Sequence, residues 1–252
     1  MPRADQLLVE RGLANSRSQA QRLIAAGVEW RVGQQGWQRV VKNGEVLATA
    51  SELQLLSDAE TRYVSRGGLK LEGALLQTGL QVKGWVCLDV GQSTGGFTDC
   101  LLQHGAAQVW GVDVGHSQLH PSLQADVRVH VLEKVNARHL SAEQLGEQGQ
   151  HGFDLVVADL SFISLTLVMP GMVHLMKPLA HAVWLIKPQF ELQAQDLGKG
   201  GVVKDPTLYL QVEQRLRQAC AQAGLQVLDW LPSAILGGDG NHEFFIHARR
   251  AA

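Results

Sequence analysis

The sequence of 252 residues predicts a Rossmann-like α/β fold, a mostly parallel seven-stranded sheet whose last strand runs antiparallel, preceded by a small α+β segment. Three observations predict it. From Trp85 onward, apolar runs of strand length alternate with helical patterns, as in a parallel sheet covered on both faces. The connection PSAILGGDGN before the final run is too short for a crossover helix, so that strand must return antiparallel. Residues 1 to 42 hold seven Arg or Lys against three Asp or Glu, a net of +4 in a chain whose total is −2, which sets the N-terminal part off from the rest.

In order, ADQLLVERGLA carries apolar residues at 7, 8, 9 and 13 and breaks at Gly12, while SRSQAQRLIAAG opens at Ser16, an N-cap residue, and ends at Gly27. Two short helices follow from this. The patches VEWRV, RVV and LQLL, broken by Gly33, Gly36 and Gly44, predict a small antiparallel sheet. Trp30 and Trp37 suit either the core of a small domain or stacking on nucleic-acid bases. Six arginines against one lysine suit bidentate contacts to phosphate, although a plain solvated surface fits the same composition. RADQLLVERGLANSRSQAQRLIAAGV resembles the RNA-binding module first recognised in a small-subunit ribosomal protein, the S-four fold. The resemblance implies that Arg3, Arg17 and Arg22 meet RNA phosphates; EWRVGQQGW departs from the module's usual Val-x-Val-Asn-Gly hairpin. The expected division is a head over residues 1–60, a linker over 61–68 and a body over 69–252. In the linker TRYVSRGG, Gly67 and Gly68 suit a hinge or a helix start.

The body reads as WVCLDV then TDCLLQHG; QVWGVDV; VRVHVL; FDLVVADL then LTLVMPGMVHLMK; HAVWLIK then PTLYLQVEQRLRQACAQAG; LQVLDWL; and EFFIHAR. With 45% apolar and 18% charged residues and no apolar run of membrane-spanning length, no bilayer segment is expected. MPRADQLLVE lacks the apolar core of a secretory leader, so the expected location is cytoplasmic. Cys87, Cys100 and Cys220 are isolated from one another and from histidines, which predicts reduced, structural thiols and no metal site.

The first body strand runs into LDVGQSTGGFTDCLL, with Asp89 at its tip, Gly91, Gly95 and Gly96 in the turn and a helix expected near Thr94. The spacing is G-x-x-x-G-G rather than the dinucleotide G-x-G-x-x-G, and an acid precedes the first glycine. An acid suits the sulfonium and amino groups of S-adenosyl-L-methionine, whereas a pyrophosphate wants only donors; a glycine turn without a ligand is the bland alternative. Asp113 lies 22 residues after Gly91, where an acid commonly grips ribose hydroxyls. Asn136 suits the adenine edge or an ordinary turn.

Four charged residues interrupt segments that would otherwise be apolar: Lys70, Asp159 after FDLVVA, Lys187 after HAVWLI, and Glu243 at the start of the last strand. Asp159 and Lys187 should come from neighbouring strand tips on the ligand side. A ribose 2′-hydroxyl is a weak acid, and its oxygen attacks a methyl group only as it loses its proton. A lysine whose ammonium is destabilised by burial and nearby cations can take that proton. An ion network that merely ties strands together is the alternative.

At this point YVSRGGLKLEGAL, LDVGQSTGGFTDCLL, VWGVDVG, VVADLSFISL, LIKPQFE, GKGGVVKDP and GNHEFFI, in this order, resemble the TlyA (hemolysin A) family of FtsJ-like RNA methyltransferases over nearly the whole chain. The resemblance implies a class I methyltransferase fold and a Lys-Asp-Lys-Glu tetrad at Lys70, Asp159, Lys187 and Glu243. It implies cofactor contacts at Asp89, Gly91, Gly95, Gly96, Phe97, Asp113 and Asn136. It also implies methylation of cytidine 2′-hydroxyls in ribosomal RNA, with RNA or ribosomal subunits as partners; Gln92 departs from the small residue common there. After Lys187, PQFELQAQDLGKGGVVKDP reads as a mobile substrate loop with Phe190 stacking on the target base. Two other classes compete: an RNA-binding assembly factor without turnover, and a membrane-active hemolysin, for which no long basic amphipathic helix is evident.

Overall fold

A computed structural model describes residues 1–14, 16–56, 61–238 and 240–252. The chain divides into two units, Met1–Tyr63 and Val64–Ala252.

In the first unit, α1 (Ala4–Glu10) and α2 (Arg17–Gly27) precede a three-stranded sheet of β1 (Val28–Arg31), β2 (Gln38–Arg39) and β3 (Glu52–Leu55), ordered β2-β1-β3 and antiparallel. Ser16 caps α2 as expected, its hydroxyl accepting the Gln19 amide at 3.2 Å. Leu7, Leu8, Leu23, Ile24, Val28 and Leu47 form a separate core. The two tryptophans part company: Trp30 packs against that core, while Trp37 is exposed with the Arg31 guanidinium 4.6 Å above its ring. The expected boundary at residue 60 falls beside residues 57–60, which lie outside the described residues.

The second unit opens with α3 (Arg66–Thr78), which takes Gly67 and Gly68 into its first turn, so this stretch is a helix start and the expected linker over 61–68 is shorter than its sequence suggested. Then come β4 (Val86–Val90), α4 (Gly96–Gln103), β5 (Gln108–Val112), α5 (Pro121–Gln124), β6 (Val129–Leu132), α6 (Gly146–His151) and β7 (Phe153–Ala158). The chain continues through α7 (Leu165–His174), β8 (Met176–Ile186), α8 (Thr207–Gln222), β9 (Leu225–Pro232) and β10 (Phe244–Arg250). The sheet order is β6-β5-β4-β7-β8-β10-β9. The pairs from β6 to β8 are parallel, and β10 runs antiparallel between β8 and β9, as the short last connection required. The sequence runs outward from β4 to β6 and then returns to β7 on the other side, so the strand order switches between β4 and β7, where such sheets bind ligands.

Two boundaries differ from the sequence reading. The stretch LMK is divided rather than wholly helical: Leu175 is the C-cap of α7, which stops at His174, while Met176 and Lys177 open β8, where Met176 pairs with Phe153 of β7. The helix after the glycine turn starts at Gly96 rather than near Thr94: Gly91, Ser93 and Gly95 all have positive φ (86°, 48° and 94°), a path no helix can share. Trp184, Phe153 and Phe245 are fully buried in the core, as are all three cysteines, which are free thiols. Burial pushes the Cys220 thiol up to about 12. Among the described residues no helix is long and apolar enough to cross a membrane.

Candidate active site

A cleft of about 410 Å³ opens at the carboxyl ends of β4, β5 and β7, within the roughly 300–1,000 Å³ of small-molecule sites. Gly91, Asp113, Asn136, Asp159, Ser161 and Phe162 contribute to its wall. Gly91 is required by the approach of two strands: at φ +86°, a Cβ there would lie 2.4 Å from the Asp159 carbonyl oxygen. Asp113 accepts the Ser93 amide and the Gly115 amide, each at 2.7 Å, one on each carboxylate oxygen. Each oxygen keeps a second lone pair, so the group can still receive a ribose diol. Asn136 combines both readings left open for it: its side-chain oxygen accepts the Arg138 amide at 2.9 Å and starts a 3-10 turn, and the residue lines the cleft. Val114, Val135 and Leu160 give the cleft apolar walls suited to a nucleobase. The chemistry of this donor and acceptor set fits the nucleoside part of S-adenosylmethionine.

The other four cofactor candidates stand behind the cleft. Asp89 is fully buried and its carboxylate accepts the Thr98 hydroxyl at 2.7 Å, which in turn accepts an amide N–H of Gln92 at 2.9 Å. Its Oδ1 has no donor among the described residues. Burial pushes the Asp89 carboxyl up to about 7, with the Thr98 bond opposing and Asp159 and Asp113 adding to the rise. Gln92 occupies the space a Cβ on Gly111 would need. A Cβ on Gly95 would strike Leu123 at 2.3 Å, and one on Gly96 would strike the Ser65 hydroxyl at 2.2 Å and the Gly68 nitrogen at 2.9 Å. Phe97 is buried and stacks on Phe245. These contacts wind the turn tightly, with its first glycine approaching β7.

The four charged residues converge as two ion pairs. Lys187 follows β8 and Asp159 follows the adjacent β7; Nζ lies 2.5 Å from Oδ1 and also donates to the Ser161 hydroxyl at 2.9 Å. Glu243 precedes β10, whose Phe244 pairs with Ile186, so antiparallel register sets Glu243 opposite Lys187. Its Oε2 lies 2.5 Å from Lys70 Nζ, projected from α3, and both side chains are buried. Burial raises the Glu243 carboxyl, Lys70 and then Lys187 oppose the rise, and Asp159 adds to it, which makes the four charges one electrostatic group.

The connection expected to be a substrate loop has local structure. It forms 3-10 turns at Pro188–Phe190, Ala194–Asp196 and Lys199–Gly201, and Asn241 accepts the Val203 amide and donates to the Gly201 carbonyl. Phe190 is half-buried against Phe162, ring centres 5.0 Å apart. Phe162, which the sequence reading passed over, is 90% exposed on the cleft wall at φ +64°. Its place within SFISL, directly after the Asp159 strand tip, was the available signal. In the first unit, Arg3 and Arg17 bind the buried Asp5, with bonds of 3.0 and 3.1 Å from Arg3 and 3.1 Å from Arg17, while Arg22 donates to the Ser18 carbonyl at 3.2 Å.

Comparison with known proteins places these residues in context. Residues 63–250 match the family model of the FtsJ-like methyltransferases. The 16S/23S rRNA (cytidine-2′-O)-methyltransferase TlyA of Mycobacterium tuberculosis is 44% identical over 98% of this chain and 89% of its own length. Hemolysin A of Brachyspira hyodysenteriae is 36% identical over 97% of this chain and 98% of its own. The solved structure of a candidate hemolysin from Streptococcus thermophilus superposes with a TM-score of 0.75 at 37% identity, covering 99% of this chain and 88% of that one.

Proposed function

The chain belongs to the FtsJ-like methyltransferases, in their TlyA branch, and from that premise we propose that it methylates the 2′-hydroxyl of a cytidine ribose in ribosomal RNA. The observation that carries the reading is the pairing of Lys187 with Asp159 and of Lys70 with Glu243 at strand tips beside a nucleoside-sized cleft. S-adenosyl-L-methionine supplies an electrophilic methyl group when bound, and Gly91, Asp113 and Asn136 would hold it. Lys187 in its neutral form accepts the proton of the attacking hydroxyl at Nζ, with Asp159 and Ser161 fixing the direction of its lone pair. Lys70, held by Glu243, keeps a positive charge near the oxygen as it becomes anionic. Phe162 offers an exposed ring on the cleft wall to the target base. The first unit serves as the S-four-type RNA-binding head, and the substrate puts the protein in the cytoplasm with the ribosome.

Mass mapping of ribosomal RNA incubated with the protein and labelled S-adenosylmethionine tests the reading. The expected product is a ribose-linked methyl on a cytidine; no ribose methyl on any ribosomal substrate overturns it and favours an assembly factor without turnover. Lys187→Ala should lower the transfer rate by about 100-fold or more while leaving cofactor affinity intact. A comparable loss of cofactor binding would mark Lys187 as structural.

A further inference from the structure

LIKPQFE ends on Glu191, a carboxylate that the chemistry above does not use, although it is 5% exposed and four residues from Lys187. It accepts the Ser164 hydroxyl at 2.7 Å on one oxygen and the Leu165 amide at 2.7 Å on the other. Arg215 from α8 pairs with it at 2.7 Å and also donates to its backbone carbonyl. Ser164 caps α7 and Leu165 is the first residue of that helix, so the carboxylate sits where the helix's unpaired amides favour a negative charge.

We propose that Glu191 is a positioning residue that holds the two loops of the active site in register. The loop after β7 carries Asp159, Ser161 and Phe162 and ends at Ser164; the turn after β8 carries Lys187 and Phe190 and ends at Glu191. They are joined three times: by Lys187 to Asp159 and Ser161 at the near end, by the Phe162–Phe190 ring contact between, and by Glu191 to Ser164 and Leu165 at the far end. The first two links belong to groups that must meet substrate. Glu191 is the buried link and stays made while the others work. Phe162 needs such a restraint, since a bulky residue at φ +64° is strained and holds that backbone only when its surroundings impose it. The anchored Ser164 lies two residues on. Arg215 pairs with the carboxylate and tethers it to α8, so the register is referred to a long helix rather than to a free loop.

The inference rests on the methyl-transfer reading, and its test separates the two. Glu191→Ala, Glu191→Gln and Ser164→Ala are assayed for kcat and KM in RNA methylation, for S-adenosylmethionine affinity by calorimetry, and for Tm, at a temperature where each variant is folded. Glu191→Ala should lower kcat by about 100-fold, the cost of a displacement near 1 Å, with cofactor affinity unchanged. Glu191→Gln keeps an acceptor oxygen and should recover most of that rate; Ser164→Ala, which removes one bond and leaves Arg215 paired, should fall between. If Glu191→Ala does not fold, the same ordering of wild type, Gln variant and Ser164→Ala decides. A lowered Tm with an unchanged kcat, or a loss confined to cofactor affinity, overturns the positioning role. A wild-type protein that transfers no methyl overturns the reading of the reaction instead.

Discussion

Asp5 in the N-terminal unit and Asp89 in the catalytic unit are both buried carboxylates, yet they settle at opposite ends of the acid scale. Burial pushes Asp5 up, but bonds from Arg3, Arg17 and Gln21 outweigh it and leave the group at about 2. Burial pushes Asp89 up to about 7, because its bonds come from the neutral hydroxyl and backbone of Thr98 and its charged neighbours Asp159 and Asp113 are also anions. Burial sets the penalty on charge, and the charge of the donors decides whether it is met. The first unit meets it with two half-exposed arginines, the same residues whose sequence context pointed to RNA. The catalytic unit leaves its acid uncompensated beneath the glycine turn.

The pH dependences should therefore be opposite. The depressed Asp5 contributes stability that is complete above 3.8 and lost as pH falls towards about 2. The raised Asp89 contributes stability present below 3.8 and lost as pH rises to about 7, since the native state holds the proton longer than the unfolded one. The largest effect should come from replacing Arg3 and Arg17 together by alanine, which strands Asp5 as a buried charge and costs about 3 kcal/mol at pH 7. Hydrogen exchange of the α1 and α2 amides reads it, and unchanged protection would break the comparison. Next, Asp89→Asn should stabilise the free protein by on the order of 2 kcal/mol at pH 8, a gain that closes as pH falls towards 4. A lower Tm for this variant at pH 8 would mean the turn needs the ionised acid. The smallest effect sharpens the first: Arg22→Ala should reduce the salt slope of RNA binding by about one unit without moving Tm. Arg17→Ala should move both, because its guanidinium also holds Asp5.

Much of this arrangement was legible in residue order. Continuous apolar runs disclosed the parallel strands, and Asp159, Lys187 and Glu243 stood out because each abruptly ends or precedes such a run. Ser16 was readable as a cap, since capping is made within one turn of chain. The start of β8 was not, because Met176 and Lys177 suit a helix end as well as a strand until β7 is there to pair with. Gly95 and Gly96 were readable as turn glycines, but Leu123 and Ser65, which leave no room for a side chain there, come from other elements. Glu191 carried no local signal at all: its partners lie 24 to 27 residues away.

The sequence by itself determined the fold class and the identity of the charges placed at the ends of its strands, because periodicity and residue chemistry are local properties of the chain. Only the tertiary structure decided which acids face the cleft and which are sealed beneath it, which arginines are committed to Asp5, and which carboxylate ties the catalytic loops together. Desolvation and hydrogen bonding act across segments distant in sequence, so these assignments exist only once the segments have met.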